Sequence, residues 1–295
     1  MKTPATFISD MAEYISMPEV YTEIRQLLKN PDSQISDFVK AIEHDSMLTI
    51  RILRIANSQF FGFARKVKNL EQALNLIGMI QLHDLLLCSL CIRSFTTVPA
   101  QIFNLNAFWQ YSIECGIAAR TIAQYSALPV GNQYFTLGLL HEVGHAAMYT
   151  KTPDLALRAL EESRKQHLPI EQLERELLGF DYTRIGCSLM QFWQLPENYQ
   201  QVASHHLSPQ KAAQKYRYEI QIIHMAHTMR QDPAGSHQEL ISSSRENFPQ
   251  LKSLPSNIND IIIQEINENA NSVLTMLWPS GTQDTTTKHN PETDE

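Results

Sequence analysis

Apolar residues recur with a helical period along most of the chain, and the strict alternation of a half-buried strand is nearly absent. Ile35, Phe38, Val39 and Ile42 fall at i, i+3, i+4 and i+7, the single stripe of an amphipathic helix. Pro31-Asp32-Ser33 supplies the turn before it, with Asp32 or Ser36 as the candidate cap. Leu48, Ile52 and Ile55 form a second stripe that stops near Asn57-Ser58. Leu70, Ala73, Leu74 and Ile77 form a third, closed by Gly78, a residue type suited to a helix C-terminus. From Met79 to Phe95 the chain is apolar almost all round, which predicts a central helix packed on several sides.

Further helices are predicted over 107–127, 134–149, 154–166, 170–178, 183–193, 197–205 and 212–229. Thr152-Pro153-Asp154 is a sharp stop and restart, because proline suits a first helical turn. Residues 231–258 are rich in Ser, Pro, Gly and Asn and predict a long irregular connection. A last helix over 258–277 would dock through Ile261, Ile262, Ile266 and Val273. The expected fold is all-α, in two helical lobes that meet at Val98-Pro99-Ala100. The lobes are residues 1–97 and 98–278, and a polar, disordered tail covers 279–295.

Composition narrows the function classes. The chain has 295 residues, 43% hydrophobic and 19% charged, the balance of a globular protein. Lys and Arg number 24 against 31 Asp and Glu, a net charge of −7, which disfavours a nucleic-acid partner. The first ten residues are too polar for a signal peptide. The strongest apolar run, Leu85 to Ile92, is far too short to span a bilayer. Four cysteines make no disulfide framework, so a reducing cytoplasm is the expected compartment. Cys88 and Cys91 form a C-x-x-C inside a Leu-rich helix without a second ligand pair, which reads as core packing.

The titratable residues carry the functional question. His44-Asp45 and His83-Asp84 lack the three or four ligands a divalent metal requires, and read as a helix terminus and an exposed helix face. His141-Glu142-Val143-Gly144-His145 matches H-E-x-x-H, the helical signature of zinc proteases. The extended form of that signature fails, since Met148 and Lys151 occupy its later Gly and His positions. No strand is predicted that could hold an extended peptide. His205-His206, His224 and His227 cluster later, and a helical fold could bring them to His141. As a capping or surface pair, His206 and His224 have an equally simple reading.

Several stretches together resemble the HDOD domain, a regulatory relative of the HD phosphohydrolases. Ile52-Leu53-Arg54-Ile55-Ala56-Asn57-Ser58 with Phe60-Phe61-Gly62 is similar to that family's most recognisable segment. Asn69 to Leu74 with Leu76-Ile77-Gly78 resembles the next block. Phe108-Trp109, Gly138 to Gly144, Phe192 to Pro196 and His205-His206 resemble later ones. The resemblance runs over roughly residues 7–230 and implies that the second lobe is a degenerate HD-type bundle.

It also implies where a catalytic metal would have sat. HD hydrolases use one His, a His-Asp pair and a later Asp; those positions are Tyr111, His141-Glu142 and His227 here, and Tyr182 replaces a downstream His. A phenol is a poor ligand at neutral pH. The resemblance therefore implies a non-enzymatic signalling scaffold with no cofactor, which binds a signalling protein or a small ligand. A metal-dependent phosphohydrolase is the alternative, holding a weak divalent ion through His141, Glu142, His227 and His205, and an H-E-x-x-H metalloprotease is the remote one. Asn57, Ser58, Phe60 and Phe61 are the candidate contact between lobes or with a partner.

Overall fold

The computed structural model describes residues 3–58, 60, 66–95, 103–127 and 133–277, and the described residues form helices and turns with no strand. In chain order the helices are α1 (Pro4–Ser9), α2 (Ala12–Ile15), α3 (Glu19–Lys29), α4 (Ile35–Glu43), α5 (Ser46–Ala56), α6 (Leu70–Ile77), α7 (Met79–Ser94) and α8 (Leu105–Gln124). There follow α9 (Gln133–Leu140), α10 (Val143–Lys151), α11 (Pro153–Gln166), α12 (Ile170–Leu178), α13 (Tyr182–Phe192) and α14 (Glu197–His205). The last three are α15 (Arg217–Gln231), α16 (Gln238–Asn247) and α17 (Ile258–Leu277). The all-α expectation holds. No single described helix is long and apolar enough to cross a membrane.

Local chemistry explains most boundaries. Asp45 caps α5 by accepting from the Leu48 amide at 2.9 Å, which gives His44-Asp45 its structural role. Gly78 takes φ 86° between α6 and α7, a left-handed value that a side chain resists. Pro153 opens α11, as the stop-and-restart pattern predicts. The start of α4 differs from expectation. Gln34 and Asp37 form a reciprocal capping box there, and neither Asp32 nor Ser36 is the cap.

Three larger corrections follow from tertiary contacts. The predicted helix over 134–149 is broken into α9 and α10, with Glu142 (φ −106°, ψ 14°) outside helical geometry at the joint. Residues 231–258 are not wholly irregular. They contain α16, whose Ile241 and Ser244 are buried, and a short 3-10 turn over Pro249–Leu251. Helix α15 starts at Arg217, after two 3-10 turns, and not at Ala212.

One continuous apolar core joins the two halves of the chain. Helix α1 packs on α13, and α17 packs on α8 while also touching α5 and α7. Ile258, Ile262, Ile266, Ala270, Val273 and Leu277 line the buried face of α17, whereas Ile261 is half-buried at its edge. Each fully buried Ile or Leu contributes about 1.5–3 kcal/mol, so α17 is bound firmly to both halves. Cys88 and Cys91 are fully buried free thiols, as core packing requires, and burial pushes the Cys88 thiol up to about 12. The expected hinge at Val98-Pro99-Ala100, the 279–295 tail and Phe61 all lie outside the described residues.

Candidate functional site

Five elements deliver polar side chains to one buried point. Tyr111 comes from α8, His141 and Glu142 from the joint between α9 and α10, Tyr182 from α13, His206 from the end of α14, and His227 from α15. Ligand atoms of His141, Glu142, His206 and His227 all lie within 4.8 Å of one another. All four residues are buried, at 0%, 9%, 0% and 3% exposure, so bulk water does not share the load of solvating them.

The break in the helix creates this cluster. Gly144 lets α10 approach α13 so closely that a Cβ there would run into the Tyr182 carbonyl. That contact fixes the joint, and the joint turns His141 toward α15. His145 points elsewhere: its ring stacks on Tyr182 at 3.8 Å and its Nδ1 lies 3.2 Å from Glu174 Oε1. His141 and His145 therefore do not share one helix face, and the zinc-protease geometry is not formed.

Hydrogen bonds set the tautomers. His141 Nδ1–H donates to the Gly138 carbonyl at 2.6 Å, which leaves Nε2 as a lone pair facing the cluster. His206 Nδ1 lies 3.1 Å from the carbonyls of both Val202 and Ala203 and donates there. Its Nε2 then accepts from the Tyr182 phenol at 3.0 Å. His227 Nδ1 meets three groups: His141 Nε2 at 3.1 Å, the Tyr111 phenol at 3.1 Å and Glu142 Oε1 at 3.5 Å. His224 stands just outside and donates from Nδ1 to the His206 carbonyl at 2.8 Å.

Burial decides the charges. Desolvation holds His141 well below the usual imidazole range, with the neighbouring His206 and His227 adding to it. It lowers His206 to about 4 and His227 well below its ordinary value. Glu142 is raised, again chiefly by desolvation. For His145 burial disfavours the cation, but the Glu174 carboxylate outweighs it and the value rises. Tyr111 and Tyr182 are pushed far up by desolvation and stay neutral phenols.

Neutral imidazoles also suit a cation, since His227 can carry its proton on Nε2 and turn a lone pair on Nδ1 to an ion. Donors around a tetrahedral zinc stand about 3.3 Å apart, a spacing close to that of His141 Nε2 and His227 Nδ1. Three imidazoles and a carboxylate make a complete donor set for one ion. His205, expected among them, is half-buried and bonds the Gln201 carbonyl at 3.2 Å. The inward position at the end of α14 belongs to His206 instead.

Two other expectations change. His83-Asp84 is not an exposed face: both residues are buried and joined to Tyr21 and Tyr199. Asn57 joins the end of α5 to Val67, donating from Nδ2 to the carbonyls of Leu53 and Val67 and accepting at Oδ1 from the Val67 amide. Ser58 donates to the Ile55 carbonyl. Phe60 is 7% exposed, 5.2 Å from the Phe135 ring, with the Arg120 guanidinium 4.1 Å from its centroid. Phe60 therefore packs against both α8 and α9. Glu174, 1% exposed beside His145, carried no signal in the sequence, where it sits among ordinary helical charges.

The HDOD domain profile matches residues 15–209. The chain belongs to the HDOD family. Its fold is that of an HDOD domain protein of unknown function from Geobacter sulfurreducens, with a TM-score of 0.70, 17% identity, and coverage of 94% of this chain and 98% of that one. A proposed phosphohydrolase from Shewanella amazonensis aligns with a TM-score of 0.71 at 21% identity, over 92% and 96% of the two chains. A proposed signal transduction protein from Marinobacter aquaeolei aligns with a TM-score of 0.74 at 17% identity, over 94% of this chain and 62% of that one. An uncharacterized protein of Treponema pallidum is 26% identical over 226 residues, which cover 75% of this HDOD chain. The chain spans 43% of that relative's length.

Proposed function

We propose that this HDOD protein is a non-hydrolytic element of signal transduction, which binds a signalling protein or a small ligand and passes on its state. The observation that carries this reading is the pair of phenols in the histidine pocket. Tyr111 and Tyr182 satisfy His227 and His206 as neutral hydrogen-bond partners, and both are held far from ionisation. Phosphate-ester hydrolysis by a metal requires an open coordination position for water and substrate. Four buried donors and two phenols surround the point where such a position would be. Satisfied in this way, a buried polar network stiffens the junction of six helices, a suitable relay between binding surfaces.

The second reading is a surviving metal centre, favoured by the convergence of His141, Glu142, His206 and His227. Those residues would hold one divalent ion, which when bound would supply Lewis acidity. Elemental analysis of the purified protein, with a turnover screen over phosphomonoesters and cyclic nucleotides, separates the two. The scaffold reading expects no turnover that depends on metal. Stoichiometric metal together with turnover abolished by His141→Ala would overturn it.

A further inference from the structure

Away from the histidine pocket, a cavity of about 560 Å³ lies where α3, the first turns of α7 and the start of α14 meet. That volume is in the range of small-molecule sites. Two of its lining residues, His83 and Asp84, are only 7% and 4% exposed. They belong to a chain of bonds: Tyr21 OH lies 3.1 Å from His83 Nε2, His83 Nδ1 lies 3.3 Å from Asp84 Oδ1, and Tyr199 OH donates to that same oxygen at 2.9 Å. Both described contacts to the Asp84 carboxylate end on Oδ1, so Oδ2 retains acceptor capacity for a donor brought into the cavity.

Two further lining residues have the opposite character. Arg25 and Lys29 stand one turn apart on α3, the first half-buried and the second exposed. Arg25 is braced by its Nη1, which donates to the carbonyls of Trp193 at 3.1 Å and Gln194 at 3.4 Å, and a guanidinium has further N–H donors beyond that nitrogen. Gln194 itself lines the cavity and takes φ 55°, a strained value for a residue with a side chain. A cationic pair on one wall and a buried carboxylate on another select a ligand with two different ends.

We propose that this cavity binds an anionic small molecule whose planar head carries N–H donors, with the size and chemistry of a nucleoside monophosphate. The phosphate meets Arg25 and Lys29, and the donor edge of the base meets Asp84. Guanine presents a ring N–H beside an exocyclic amino group, whereas adenine presents only the amino group, so the carboxylate favours guanine. The site draws on α3 and α7 from the first half of the chain and α14 from the second, so an occupant would bridge them. This inference does not depend on whether the histidine pocket hydrolyses anything.

Isothermal titration of the full chain with GMP, AMP, guanosine and inorganic phosphate tests it. One GMP should bind per chain, more tightly than AMP, and guanosine should lose roughly tenfold or more for want of the charged contacts. Lys29→Gln, a surface change expected to leave the melting temperature unaltered, should weaken GMP by a similar factor. Asp84→Asn should erase the preference for GMP over AMP, with melting curves confirming that the variant is folded. The proposal is overturned if GMP fails to bind at millimolar concentration, or if phosphate alone binds as tightly as GMP. Binding unaffected by Lys29→Gln and Arg25→Gln together would also overturn it.

Discussion

The phenol of Tyr111 lies 3.1 Å from Nδ1 of His227, joining α8 to α15 inside the histidine pocket. This hydrogen bond between side chains fastens His227, one of the four candidate ligands, to a neutral phenol. Tyr111→Phe should remove it with little change in volume and cost about 0.5–1.5 kcal/mol, since the buried His227 Nδ1 keeps His141 Nε2 as a partner. Urea denaturation measures that loss. Tyr111→His should instead add an imidazole to the cluster and raise zinc affinity, read by competition with a chromogenic chelator. Unchanged affinity would mean that residue 111 does not face the ion position.

Stability should fall on acidification through the histidine range. His206 is lowered to about 4 by burial, against about 6.5 in an unfolded chain. Between those values the unfolded state binds the extra proton, so the contribution is present above pH 6.5 and is lost as pH falls toward 4. His141 and His227 shift in the same direction. Two groups of the pocket oppose them. His145, raised by Glu174, and Glu142, raised by desolvation, each favour the folded state more at lower pH. With three imidazoles against these two, the urea midpoint of chelator-treated protein should drop between pH 7 and pH 5. His206→Gln should flatten the slope.

The helices were legible in the sequence because their apolar stripes are local. Helices α12, α14 and α17 begin and end where periodicity and proline predict. The break at His141-Glu142 was not, because the α9 and α10 segments are buried all round and an all-apolar run carries no phase. Just after the break Gly144 approaches the α13 backbone closely, a contact between residues distant in the chain that a local pattern does not carry. The same limit hid Glu174 and the burial of His83-Asp84, whose partners come from distant helices. Tyr111 and Tyr182 were accessible only through resemblance to a family pattern, whereas the H-E-x-x-H match and the late histidine cluster already marked His141, Glu142 and His227, and adjacent His205 and His206 could be ordered only by the helix end that carries them.

That ordering gives a paired test. His206 is fully buried, donates to backbone carbonyls and accepts from Tyr182, so His206→Ala should cost about 3 kcal/mol through a cavity and an unpaired phenol. His205 is half-buried with a single bond to a carbonyl one turn back, and His205→Ala should lie within about 0.5 kcal/mol of the parent. Equal effects in a denaturant titration would contradict the assignment.

Phe60→Ala tests whether the loop after α5 is structural. The ring is 7% exposed and packs against Phe135 and Arg120, so truncation should cost about 3 kcal/mol. A near-neutral melting temperature would instead move Phe60 to a surface used by a partner.

Gly144→Ala should damage the pocket without touching any of its polar groups. A Cβ at residue 144 would meet the Tyr182 carbonyl and stand 2.7 Å from the Gly186 amide nitrogen, both backbone atoms of α13 that no side-chain rotation can move aside. Helix α13 must therefore retreat from α10, taking the Tyr182 phenol away from His206 and its ring away from His145. Overpacking of this kind costs typically 1–3 kcal/mol, and loss of the buried hydrogen bond adds to it. The variant should also show a shallower loss of stability between pH 7 and pH 5, because imidazoles that are no longer fully desolvated titrate closer to their unfolded value. Amide exchange confined to α10 and α13 would localise the change. Protection lost evenly along the chain would show that the glycine contact holds the whole fold and not the pocket in particular.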